Sequence, residues 1–113
     1  MFIEIRFDDP FLPREQIPGL QTKDLDDFYV AASETDRLNL FFVLLNTLHR
    51  AEDDGEKKEA AHLSFLTAYY LFVPLTPPGS AELALHYIRK AAALDPRLEY
   101  GEWLERIQGA IQC

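Results

Sequence analysis

Leu40-Phe41-Phe42-Val43-Leu44-Leu45 is the longest purely apolar run in the chain, and it constrains the fold more than any other feature. It falls inside a helix expected over about 34–51. Ser33 is that helix's N-cap, and Glu34 and Asp36 sit at the positive end of its dipole. At about 100° per residue, six consecutive apolar residues cover the whole circumference of a helix. No face remains for water through this section. The helix is therefore expected to be central, packed on both sides by other helices or by a second subunit. The run is far short of the roughly 20 residues that a membrane helix needs.

The segments on either side also read as helices. Thr22 is placed to cap a short helix over about 23–32, with Asp24 in its first turn and Leu25, Phe28 and Tyr29 on one stripe. Glu52-Asp53-Asp54-Gly55 reads as a turn. A third helix is expected over about 56–73, polar at Lys57, Lys58 and Glu59 and strongly apolar from Leu63 to Phe72, and stopped by Pro74 and Pro77-Pro78-Gly79. Ser80 would cap a fourth helix over about 81–94, with Leu83, Ala84, Tyr87, Ile88 and Ala91 along its stripe. Pro96 opens a last one over about 96–111, with Leu98, Trp103, Ile107 and Ile111 inward. Short connections after residue 33 favour antiparallel neighbours. Ahead of the helices, Phe2 to Phe7 alternates as a strand does, with no partner strand elsewhere. Pro10, Pro13, Pro18 and Gly19 make residues 8–21 a loop. The expected class is an all-α antiparallel bundle of four to five helices with a short N-terminal extended strand. It forms one domain over 1–113, in which 1–21 is strand and Pro-rich loop and 22–113 is helical.

Charge narrows the function classes. The chain carries a net charge of −8, and residues 1–36 alone hold nine acids against three bases. Sequence-independent nucleic-acid binding needs clustered Lys and Arg, and anionic membranes attract basic segments, so neither partner suits this chain. A protein with a basic surface is the natural complement. The one cysteine, Cys113, excludes an intrachain disulfide and fits a reducing compartment, and Glu4 interrupts any basic-then-apolar leader. The expected location is the cytoplasm.

The stretch Ala84-Leu85-His86-Tyr87-Ile88-Arg89-Lys90-Ala91-Ala92-Ala93-Leu94-Asp95-Pro96 resembles the second helix of a tetratricopeptide (TPR) repeat, from its first small alanine to its closing proline. Ala84 and Ala91 fall where that family needs small residues for close helix approach. Leu63, Leu66 and Tyr70 take the large packing positions of the first helix. The chain departs from the pattern at Thr67, where glycine is commonest, and at Ile88, where an aromatic is usual. Its Phe72–Gly79 connection is also longer than the family's tight turn. The resemblance covers one copy, about residues 59–96. The helices at 34–51 and 96–111 would supply the neighbours that such a repeat needs. What the resemblance implies is a helical hairpin used to grip another protein.

No constellation suggests chemistry. Glu59 and His62 have the Glu-x-x-His spacing of di-iron bundles, but that motif must occur twice with two further carboxylates, and it occurs once here. His49 and His86 stand on separate helices with no ligands at metal spacing. Asp53-Asp54-Gly55-Glu56 lacks the alternating ligands of a calcium loop. There is no nucleophile elbow and no glycine-rich phosphate loop, and Cys113 has no neighbouring base. Tyr69, Tyr70 and Phe72 lead into the Pro-rich connection and form either core or an apolar contact edge.

The expectation is a small acidic protein-binding module with no cofactor, no metal and no enzymatic activity. It would act by stoichiometric binding, as an immunity protein does on a bacterial toxin or a chaperone on a secreted effector. Asp24, Asp26 and Asp27 would meet a basic surface, with Tyr69 and Phe72 as apolar contacts. One alternative is a homo-oligomeric scaffold subunit, a homo-dimer in its simplest form, built on the helix without a polar face. The other is a small enzyme or ligand-binding bundle, whose mark would be a deep polar pocket around His62 or His49.

Overall fold

The computed structural model describes residues 3, 4, 6 and 8–112. Over the described residues it is an all-α bundle of five helices: α1 (Thr22–Ala31), α2 (Glu34–Asp53), α3 (Lys57–Tyr70), α4 (Ser80–Leu94) and α5 (Leu98–Gln112). A 3-10 turn over Arg14–Gly19 precedes them, and a π-helical turn over Leu71–Leu75 follows α3. Of the strand expected over Phe2–Phe7, Phe2, Ile5 and Phe7 lie outside the described residues, as does Cys113. The described remainder forms no strand. Arg6 bridges Asp9 across a tight turn, and among the described residues no second strand pairs with an extended backbone.

Local chemistry sets the helix ends. Ser33 caps α2 as expected, its Oγ accepting the Asp36 N–H at 3.2 Å. At α1 the cap is Gln21 and not Thr22. The Asp24 carboxylate reaches back to accept the Gln21 N–H at 2.8 Å, which draws Thr22 into the first turn. At α4 the cap is Gly79, whose φ of 77° only glycine adopts freely, and Ser80 becomes the first helical residue. Regular α-helix in α3 stops at Tyr70, earlier than expected. Pro74 has no N–H to give, so the last turn widens until Thr76 N–H reaches Leu71 C=O at 3.0 Å, with Thr76 left at a φ of 45°.

The central helix is α3, not α2. Every residue from Ala60 to Leu71 is buried except His62, which is half-buried. Small side chains make this possible. Ala60, Ala61, Ser64, Thr67 and Ala68 let neighbours approach on several sides, and Ser64 and Thr67 satisfy their hydroxyls on their own helix, at Ala60 and Leu63 C=O, both at 2.7 Å. α3 packs most extensively on α4, then on α2, and also touches α1 and both short turns. Its contact with α5 is aromatic, with the Phe65 and Tyr100 rings 5.1 Å apart. α4 presents the fully buried Ala84, Ile88 and Ala91 inward, while Leu83 is exposed.

α2 is covered on the α3 side by its buried Leu40, Leu44 and Leu48. Beyond that it meets the N-terminal segment: Leu12 N–H bonds Thr47 Oγ1 at 3.0 Å, and Arg50 Nη2 bonds Leu12 C=O at 3.2 Å. Its remaining side is open, with Leu38 49% and Phe42 52% exposed. In α5 the inward residues are Tyr100 and Ile107, with Trp103 half-buried. Leu98 is 82% exposed and Ile111 is also exposed, because the stripe through Tyr100 and Ile107 points Leu98 away from α3 and α4.

Candidate functional site

Tyr69 stands where three helices meet. Its hydroxyl donates to both carboxylate oxygens of Asp26 on α1, each at 2.9 Å. Its ring meets Trp103 of α5 edge to face, with centroids 5.3 Å apart at 88°. The Arg106 guanidinium lies 4.8 Å over the Trp103 ring, one turn further along α5. Burial first, then the bond to and charge of Asp26, push the Tyr69 phenol up to about 12, so it remains a donor across the physiological range. Next to it on α3, the buried Tyr70 donates to Arg37 C=O and meets Tyr29 of α1 edge-on.

The residues expected to bind a partner are thus divided. Asp26 and Tyr69 come together, and Asp27, exposed, adjoins Asp26 on α1. Asp24 is engaged in capping α1. Phe72 lies in the π turn, half-buried against the core. Trp103 and Arg106 join the same face unforeseen. Their i, i+3 spacing on a helix was a local signal for the pair, but nothing local showed that α5 would lie against Tyr69.

A second feature is a cleft of about 380 Å³ lined by Ile17, Pro18, Glu56, Lys58, Glu59, His62 and Arg97. His62 Nε2 lies 2.7 Å from Leu20 C=O, so that nitrogen carries the proton and donates. Burial lowers the ring's pKa, outweighing the bond to Leu20, and leaves the imidazole neutral with Nδ1 as an acceptor. Two of the charged groups around it are paired: Glu59 accepts from Arg14 Nε at 3.3 Å, and Arg97 Nε donates to Asp95 at 2.9 Å. Arg14 also holds Asp54 at 2.7 Å, so the 3-10 turn is fastened to both ends of the α2–α3 connection. Glu59 and His62 are on the same helix face, as their spacing implies, and they serve different tethers. Among the described residues, no three His, Cys, Asp or Glu side chains converge as metal ligands would, and no helix is long and apolar enough to cross a membrane.

Fold and site together define an acidic all-α helical bundle with an acid–aromatic face across α1, α3 and α5. Compared with protein-family models, curated proteins and solved structures, the chain has no match.

Proposed function

We propose that this chain is a small protein-binding module that acts by stoichiometric association with a partner bearing a basic surface, in the manner of an immunity protein or an effector chaperone. The observation that carries the reading is the Asp26–Tyr69 bond, which joins α1 to α3 beside the half-buried Trp103, with the exposed Asp27 next to Asp26 in the chain. Tryptophan and arginine are enriched in binding hot spots, and the exposed Arg106 over Trp103 supplies that pair at the edge of this face. The net charge of −8 would steer a basic partner toward this protein and raise the association rate more than the affinity. A TPR-like role for the α3–α4 hairpin is supported by the full burial of Ala84 and Ala91, which allows close helix approach. The single cysteine supports a cytoplasmic setting.

The test is recovery of the partner from native lysate on immobilised protein, comparing the unaltered chain with Asp27→Lys. Asp27 is the residue to reverse, because Asp24 and Asp26 hold the fold. A specific protein lost on reversal is expected, and equal recovery from both would remove the reading.

The His62 cleft favours a second reading, a small-ligand site. Lys58 and Arg97 would face an anion, and Glu56 and His62 Nδ1 an ammonium group. Its test is a thermal-shift titration with inorganic phosphate and with a primary alkylammonium salt. An unchanged midpoint with both excludes it.

A further inference from the structure

We propose that the open face of α2 is a two-fold interface that pairs this protein with a second copy of itself, α2 against α2 and antiparallel. The face is a short heptad seam. Thr35, Leu38, Phe42, Leu45 and His49 recur at alternating spacings of three and four, which puts them on one stripe of the helix. Leu38 and Phe42 are about half exposed, Leu45 is half-buried, and the Phe42 ring leans on Phe41 with centroids 5.5 Å apart. A seam of this kind takes another helix with the same spacing.

Charge selects the occupant. From Leu38 to Leu48 the only polar side chains are Asn39, Asn46 and Thr47, none of them ionisable, in a chain of which 27% is charged. The other outer helices differ: α5 shows Glu99, Glu102, Glu105 and Arg106 to solvent, and α4 shows Glu82 and Arg89. Between Leu38 and Leu48 a basic partner finds no carboxylate on α2 to pair with, whereas a neutral apolar stripe of equal length matches that stretch. A second copy carries that stripe.

The ends of the helix set the direction. Glu34 and His49 are both exposed and lie 15 residues apart, roughly 22 Å along the helix. An antiparallel pairing with Phe42 on the two-fold axis brings Leu38 against Leu45 of the partner subunit and Glu34 beside His49 of the partner subunit, each contact occurring twice. It also opposes the two helix dipoles. Beside Phe42 is a cleft of about 240 Å³, lined by Arg6, Asp9, Pro10, Asn39, Val43 and Asn46, with room for the edge of a second aromatic ring. The N-terminal segment thereby widens the contact beyond a single helix, toward the roughly 1,200 Å² that stable interfaces bury.

Sedimentation equilibrium on the full chain, from about 1 to 100 μM, tests this. The unaltered protein is expected to sediment as a dimer in the upper part of that range. Phe42→Glu and Leu38→Lys are each expected to sediment as monomers with unchanged far-UV circular dichroism. Both side chains are already half in water, so folding tolerates the change. Leu98→Glu, at the most exposed large apolar side chain among the described residues, should leave the dimer intact. Glu34→Lys should weaken it roughly two- to fivefold, and adding His49→Glu should restore it. A monomer at 100 μM, or a dimer indifferent to both Phe42→Glu and Leu38→Lys, overturns the proposal. The partner-capture test on Asp27 is unaffected by either result.

Discussion

Removing the Tyr69 hydroxyl isolates the hydrogen bond that ties Asp26 of α1 to the aromatic face. Tyr69→Phe is expected to lower the unfolding free energy by about 1 kcal/mol, since a phenol bound to a partly solvated carboxylate is worth that much net. Urea unfolding of Tyr69→Phe, Asp26→Asn and the double variant measures the coupling, and additive losses would show that the bond contributes nothing. The phenol also sets a pH dependence. Unfolded tyrosine releases its proton near 10, while folded Tyr69 keeps its own until about 12, so stability falls as pH rises through that window. Tyr70 is raised in the same direction, so Tyr69→Phe should flatten the fall without abolishing it. His62 acts at the acid side. Its folded pKa lies below the unfolded 6.5, so its contribution is complete above that value and is lost as pH falls below it. The melting temperature is expected to drop between pH 7 and pH 5, and less steeply in His62→Asn. Equal slopes would show that the imidazole is not buried neutral.

At the scale of elements, the caps and breakers do most of the work, and most were legible from the sequence. Ser33 and the Gly55 turn fall where local chemistry puts them. Gln21 and Gly79 displaced Thr22 and Ser80 as caps by one residue, because a three-residue reach by Asp24 and a positive φ at Gly79 decide those boundaries. The widened turn after α3 was not legible. Pro74 signals an ending, but whether the chain stops or expands into a π turn depends on what Leu71 and Leu75 pack against. That turn leaves Thr76, a β-branched residue, at a φ of 45°. Thr76→Gly is expected to raise stability by roughly 0.5–1 kcal/mol, as relief of left-handed strain exceeds the added chain entropy. Thermal unfolding measures it, and a lower midpoint would mean that the Thr76 side chain contributes contacts greater than the strain.

For the molecule as a whole, the question is which helix the others are built around. Six apolar residues in a row made α2 the candidate, yet α3 occupies the centre. Alanine, serine and threonine are small enough to let neighbours close in from several sides, whereas the bulk of Phe41 and Phe42 holds them off. Leu66→Ala on α3 is expected to cost about 2–5 kcal/mol, while Leu98→Ala on α5, an inward position by its sequence pattern, should change stability by under about 0.5 kcal/mol. Denaturant midpoints of the two variants decide the matter, and comparable losses would place Leu98 inside.

By itself the sequence determined the helical class and the approximate limits of its five helices, because caps, prolines and apolar periodicity act within a few residues of one another. It also determined the acidic bias, a net charge of −8. Only the tertiary structure decided that α3 is central, that Asp26 is engaged while Asp27 faces water, and that Trp103 meets Tyr69. Each of those outcomes depends on side chains brought together from distant helices, and no local pattern encodes the distance between them.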